Sequence, residues 1–271
     1  MTDPAMTNQS KNIQVSVWAP DRVDQTDRVI ATEVPVALEY NCVSHAVMMI
    51  SPLDLEDFVR GFSLTEGIID QPDNIIDLKI DHEKNGYVAA IEIKPDKFDR
   101  LEDFKRTLAG RTGCGLCGID RLEHVIRPLT PIKANEKIPA EKIHAAFQDL
   151  NRHQPLNEAT GAVHAAAFMD QAGQIIAVRE DVGRHNALDK LIGHLMSQDI
   201  DPASGMALIT SRASFEMIHK SVVFGFPALA AISAPTDLAI SLATENNLAL
   251  IALARPDNMS LYCDPLDTIK L

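Results

Sequence analysis

What this chain has little of narrows its class. Cysteine occurs 4 times in 271 residues, tryptophan once, and aromatic residues make up only 5%. Four cysteines in a chain of this length make no disulfide framework, and that usage points to a reducing, cytoplasmic location. Basic residues are also short, at 25 Lys+Arg against 38 Asp+Glu, for a formal net charge of −13. Such a balance disfavours non-specific binding to nucleic acid or to an anionic membrane surface, so an anionic ligand would need a local basic pocket. Long apolar runs are missing. The longest, residues 224–234, is cut by Pro227 and falls well below the roughly 20 residues that a membrane helix requires. The N-terminus lacks the basic start and apolar stretch of a secretion signal, so residues 1–12 read as a disordered tail. Neither G-x-G-x-x-G nor G-x-x-x-x-G-K-[ST] occurs, which leaves a standard dinucleotide or P-loop site unsupported. No internal repeat or low-complexity tract is present.

What is there is a chain that is 46% hydrophobic, enough for one large core or two smaller ones. Residues 13–135 read as a mixed α+β domain. Alternating or β-branched runs mark strands over Ile13–Trp18, Val34–Tyr40 and Cys42–Ile50, and Leu55, Phe58, Val59 and Phe62 give residues 53–65 a helical spacing with acidic residues in the first turn. Two further strands, Ile75–Ile80 and Tyr87–Ile93, flank the turn signal Asn85-Gly86. A helix over 99–109 then leads to a glycine-rich segment, and Arg127–Pro131 reads as a linker. Residues 136–271 change character: a helix over 139–150, a hairpin of Ala165–Met169 with Ile175–Arg179, and a helix over 181–195. Strands over 206–210, 229–232 and 248–254 then alternate with helices over 214–224 and 236–246. That alternation predicts an α/β domain with a partly parallel sheet covered by helices.

The most reactive-looking segment is Arg111-Thr112-Gly113-Cys114-Gly115-Leu116-Cys117-Gly118. A thiolate is the nucleophile, and nearby cations favour its formation, which makes Arg111 a candidate activator of Cys114. Gly113, Gly115 and Gly118 allow backbone conformations and close approaches that other residues resist. Three readings compete with a reactive dithiol acting on another molecule. A thioredoxin-type redox pair opens a helix after a strand, whereas here Gly110 ends the preceding helical pattern and Gly118 interrupts any helix from Cys117. A structural zinc site needs four ligands, and Cys42 and Cys263 stand alone, with His124 the only nearby assistant. An inert buried pair fits poorly with polar, glycine-rich surroundings.

Two segments sit where an α/β sheet holds anions, between the end of a strand and the start of a helix. Thr210-Ser211-Arg212-Ala213-Ser214 offers backbone N–H groups, hydroxyls and a guanidinium. Glu180-Asp181-Val182-Gly183-Arg184-His185-Asn186 offers Arg184 and His185, with Asp189 a turn further on. Each segment can also be a simple helix cap with a surface arginine. His164 and Ala166 occupy the H-x-E positions of a zinc deaminase, but alanine replaces the general acid/base glutamate and no cysteine pair follows, so deamination is excluded. His164 reads as a structural or ligand-lining histidine.

The motifs R-T-G-C-G-L-C-G, E-D-V-G-R-H-N-A-L-D-K and S-R-A-S-F-E-M-I-H-K, in this order, resemble those of the FdhD family. So do Glu33–Val36, Asn41, Ser51–Asp54 and Gly61–Ile69. The resemblance covers nearly all of the chain after about residue 30. It implies a smaller mixed N-terminal part and a larger three-layer α/β domain similar to cytidine deaminases, paired as a homodimer. It further implies a sulfurtransferase that takes sulfane sulfur from a cysteine desulfurase and passes it to the molybdenum or tungsten bis-guanine-dinucleotide cofactor of formate dehydrogenase. The persulfide-bearing cysteine of the family corresponds to Cys114, with Cys117 assisting. Its cofactor-binding segment corresponds to Leu253-Ala254-Arg255-Pro256-Asp257-Asn258, where Leu253 and Pro256 replace the usual aromatic and glycine. Ser211, Arg212, Ser214, Arg184 and His185 complete the expected cofactor contacts, and no structural metal is expected. Two other classes remain open: a non-catalytic chaperone that binds the cofactor through its guanine nucleotide, and a dithiol oxidoreductase.

Overall fold

The computed structural model describes residues 9–99, 101, 129–133, 136–255 and 258–270. Strands β1 (Ser10–Ala19) and β2 (Arg22–Ala31) pair into an antiparallel ribbon, and β3 (Val34–Tyr40), β4 (Val43–Ile50), β5 (Ile75–Glu83) and β6 (Gly86–Ile93) form a sheet in the order β4-β3-β6-β5. In that sheet β3 and β6 are parallel and the other pairs antiparallel. Val36, Leu38 and Tyr40 of β3 point inward and are buried, while the residues between them are partly exposed, the period-two pattern of a strand with one face on a core. Helix α1 (Leu55–Thr65) covers that face with Leu55, Phe58, Val59 and Phe62. It begins after Asp54, whose backbone is left-handed at φ 54°.

The second sheet has six strands: β8 (His164–Asp170), β9 (Ile175–Asp181), β10 (Gly205–Ile209), β11 (Ala228–Ala231), β12 (Ala249–Ala252) and β13 (Ser260–Cys263), in the order β13-β12-β11-β10-β8-β9. The central three, β10, β11 and β12, are parallel, and β8, β9 and β13 are antiparallel to their neighbours. Helices α5 (Phe215–Phe224) and α6 (Asp237–Glu245) make the crossovers, and α4 (Arg184–Ser197) follows β9. Ala166, Phe168, Ala207, Ile209, Leu229, Ala231, Leu250 and Ala252 point to a core shared with α1, α4, α5 and α6. Their neighbours Ala167, Met169, Met206, Leu208, Ala228, Ala230, Ala249 and Ile251 point the other way, to a second core under helix α2 (Ala140–Leu150). A short parallel pair, β7 (Ile138–Pro139) and β14 (Ile269–Lys270), contributes Ile138 and Ile269 to this second core. Three layers result, and strands buried on both faces read as unbroken apolar runs such as Gly-Met-Ala-Leu-Ile.

The two sheets share the first core, which runs without interruption from β3 through α1 and α4 to β12. Helices α1 and α4 can approach so closely because glycines face each other at their crossing. A Cβ added to Gly61 would fall on the Asp189 carbonyl group, and one added to Gly193 on that of Asp57.

Several elements differ from expectation. β1 begins at Ser10, three residues ahead of its apolar run. β2 was not anticipated: its sequence, RVDQTDRVIA, is charged and has no buried face, so the pairing partner alone makes it a strand. Helix α3 (Pro155–Thr160) is only six residues long and leaves no periodic signal. Its first N–H groups, on Leu156 and Asn157, are accepted by the distant Glu180 carboxylate at 2.9 and 2.8 Å. α4 starts at Arg184 rather than 181, because Asp181 ends β9. The helix expected over 99–109 falls almost wholly outside the described residues, while residues 95–99 are helical.

Gly193→Ala is expected to destabilise the fold by roughly 1–3 kcal/mol through overpacking at a backbone-to-backbone contact. Urea denaturation should show the midpoint fall with an unchanged slope.

Candidate functional site

Topology gathers the candidate residues at one edge. β10, β11 and β12 are parallel, so their carboxyl ends coincide. β8 is antiparallel to β10, and β9 to β8, so the start of β8 at His164 and the end of β9 at Asp181 lie at that same edge, paired with each other. α4, α5 and α6 therefore start there, and so do Arg184, His185, Ser211, Arg212, Ser214, Leu253, Ala254 and Arg255. Open α/β sheets bind ligands outside the carboxyl ends of their strands, and helix N-termini add unsatisfied N–H groups and a positive end of dipole.

The turn that presents Arg184 and His185 is built on Asp181, which is fully buried. Its Oδ1 accepts from the Gly183 N–H at 2.8 Å and from Asn186 Nδ2 at 2.9 Å. Its Oδ2 accepts from the Ser51 N–H at 2.9 Å and lies 2.7 Å from the equally buried Lys190 Nζ. Lys190 also donates to the Ser51 carbonyl at 3.0 Å, Asn186 Nδ2 to that of Met49 at 2.9 Å, and the Val182 N–H to Ser51 Oγ at 3.1 Å. The end of β4 thus clamps the turn from the N-terminal part of the chain.

A second buried cluster holds α4 to α5 and α1. Lys220 Nζ lies 2.9 and 3.0 Å from the two Asp189 oxygens, 2.8 Å from Thr65 Oγ1 and 3.1 Å from Glu66 Oε1, and Thr65 Oγ1 is 2.7 Å from Asp189 Oδ1. Burial works against the charge on Lys220, yet Asp189 and Glu66 outweigh it and hold the amine above the ordinary lysine value. Three acceptor groups match the three donors of an ammonium.

Across the edge, His185 Nε2 lies 2.7 Å from Glu216 Oε2, which joins the first turn of α4 to the first turn of α5. The hydrogen bond from His185 holds the Glu216 carboxyl below its usual range against the pull of burial, with Arg184 and Lys220 adding to it. His164 is pushed down, first by burial and then by neighbouring Arg184 and His185. Arg184 Nε and Ser214 Oγ are buried and find no hydrogen-bond partner among the described residues. Those two atoms are a donor and a hydroxyl left for a ligand, since buried polar groups are normally paired.

The remaining candidates are placed as follows. Ser211 Oγ is turned to the carbonyl of Arg212 at 3.1 Å, which makes it part of the loop's own fold. Leu253 is left-handed at φ 53°, the Ala254 N–H donates to the Ala231 carbonyl at 3.2 Å, and the Arg255 N–H donates to that of Asn258 at 2.7 Å. The side chain of Arg255 is exposed. Pro256 and Asp257, and Cys114 and Cys117, lie outside the described residues. No group of three or more His, Cys, Asp or Glu among the described residues could hold a metal ion. No described helix is long and apolar enough to cross a membrane. Sequence reasoning gave no role to Ser51, Thr65, Asp181, Lys190, Glu216 or Lys220. The available signal was charge inside apolar helical stretches, as at Asp189-Lys190 and Lys220.

Residues 31–268 match the FdhD/NarQ family model, and the chain belongs to that family. It is 48% identical over 241 residues to the sulfur carrier protein FdhD of Bordetella petrii, covering 89% of this chain and 86% of that protein. To the sulfur carrier protein FdhD of Cupriavidus necator it is 47% identical over 251 residues, covering 93% and 87%. Its fold is similar to the crystal structure of a protein described as a formate dehydrogenase accessory protein from Desulfotalea psychrophila, with a TM-score of 0.75 at 24% identity, covering 95% of this chain and 98% of that one.

Lys190→Met is expected to cost about 3–5 kcal/mol, because Asp181 is left as a buried charge without its counter-ion. Thermal or urea unfolding of the variant should show the loss. A change below 1 kcal/mol would mean that water or a relaxed turn takes the place of the amine.

Proposed function

We propose that this chain carries sulfur in the maturation of formate dehydrogenase, in the cytoplasm and as a homodimer. The names of its relatives support the sulfur-carrier role. The observation in the fold that carries the acceptor side of the reading is the strand edge where Arg184 Nε and Ser214 Oγ are buried, without partners among the described residues, beside two helix N-termini. Phosphate groups of a guanine dinucleotide suit that chemistry, with Arg212 and Arg255 as further cationic contacts.

The donor side falls on Cys114. Its thiolate attacks the terminal sulfur of a cysteine desulfurase persulfide; the donor S–S bond breaks as the new one forms, leaving Cys114–S–SH and the donor thiolate. No net oxidation occurs. The molybdenum or tungsten bis-guanine-dinucleotide cofactor is the substrate that receives the sulfur. Holding its phosphates at the strand edge replaces a bimolecular encounter by a positioned one. Cys117 assists release by attacking Cys114, which forms a disulfide and frees hydrosulfide; a thiol reductant then restores the pair.

Incubation with a cysteine desulfurase and cysteine should add one reducible sulfur to the wild-type mass and none to Cys114→Ala. No gain in either protein would leave a cofactor chaperone or a dithiol oxidoreductase as the better account. For the acceptor side, Arg184→Ala should weaken GDP binding in a calorimetric titration by roughly tenfold or more, the worth of a hydrogen bond to a charged group. Unchanged affinity would remove this edge from the nucleotide site.

A further inference from the structure

The β1–β2 ribbon is the part of the described structure with the least support from the rest. Ten residues of each strand pair in one unbroken register, from Ser10 opposite Ala31 to Ala19 opposite Arg22. None of these strand residues is buried. Beyond the ribbon itself, its main contact is α3 against β2. A two-stranded hairpin is marginal in water, and its outer edges leave backbone N–H and C=O groups open. Ile13, Val17 and Ile30 are nevertheless exposed on one face, and Trp18 and Val23, opposite each other, on the other. Such a ribbon gains stability from a cover.

The register shows what fits. Residues directly opposite share a face, so one face carries Lys11, Ile13, Val15, Val17 and Ala19 on β1 against Ile30, Arg28, Thr26, Asp24 and Arg22 on β2. Laid on a second copy of itself and reversed end to end about the Val15–Thr26 level, this face is self-complementary. Ile13 meets Val17 of the second copy, Val15 meets Val15, and Arg28 meets Asp24. Arg28 forms no ion pair among the described residues, and Asp24 is held only at the surface by Arg22, at 2.7 Å.

Charge selects the same partner. Lys11, Arg22 and Arg28 balance Asp21, Asp24 and Asp27, which leaves the ribbon neutral in a chain of net charge −13. A basic partner would be drawn to the acidic remainder; two acidic copies meet with least repulsion at a neutral surface.

We propose that two chains associate through this ribbon face, in an isologous contact of the kind a two-fold axis produces, with Arg28 of each copy on Asp24 of the other. The inference rests on the two-chain part of the proposed function and is independent of sulfur transfer.

Sedimentation equilibrium tests it on the full chain. Wild type should run as two chains, and Asp24→Arg and Arg28→Asp should each run as one, with unchanged circular dichroism and melting. Mixing the two variants should restore the two-chain mass, because each then supplies the charge the other lacks. A wild type of one chain would overturn both the homodimer and this contact. Two-chain mass in both single variants would keep the homodimer and remove the ribbon from its interface, and a mixture that stays as single chains would overturn the proposed register. Sulfur loading of Cys114, read by mass on the same samples, tells loss of assembly from loss of transfer.

Discussion

The buried ion pair between Asp181 and Lys190 is the constraint on which the candidate site depends. Both side chains are wholly withdrawn from water, and that desolvation is compensated only because nearly every lone pair and proton is used. The Asp181 oxygens receive three N–H donors besides the amine, and Lys190 reaches the Ser51 carbonyl. The pair therefore does more than neutralise a charge. It ties the end of β4 to the end of β9 and to α4, so the turn that carries Arg184 and His185 is shaped by a residue 130 positions earlier in the chain.

The cluster of Asp189, Lys220, Thr65 and Glu66 repeats this logic from the position next to Lys190 on α4. Together the two clusters fasten α4 to α1 and α5 from within, while the glycine contact of Gly61 and Gly193 lets the helix backbones meet. The strand edge is consequently rigid on its inner side. Its outer side keeps polar atoms without partners among the described residues, which is the arrangement expected where binding groups stand on a packed scaffold. In the proposed function the two chemical roles are divided along the chain: reactive sulfur falls to the Arg111–Gly118 segment, and anion recognition to the edge of the six-stranded sheet.

Much of this was legible in advance. The periodicity of Leu55, Phe58, Val59 and Phe62 reports α1 because helical spacing follows from one buried face. The apolar runs of β10, β11 and β12 between amphipathic stretches announce an α/β sheet, whose carboxyl edge is the expected place for Arg184, Arg212 and Ser214. β2 and α3 escaped for one shared reason: neither buries a face of its own, so neither leaves a hydrophobic period. Their positions are set by pairing with β1 and by the Glu180 carboxylate.

From the sequence by itself came the family-bearing motifs, the cysteine spacing, the acidic balance and the order of most elements, because these depend on neighbours a few residues apart. The partners of Asp181, Lys190, Asp189 and Lys220 were decided only by the tertiary structure. So were the meeting of Gly61 with Gly193, the pairing of His185 with Glu216, and the burial of Arg184 Nε and Ser214 Oγ without partners among the described residues. Buried charge is affordable only when counter-charge and donors arrive from other elements at hydrogen-bond distance. Which elements those are is a property of strand order and helix crossing, and local sequence does not encode it.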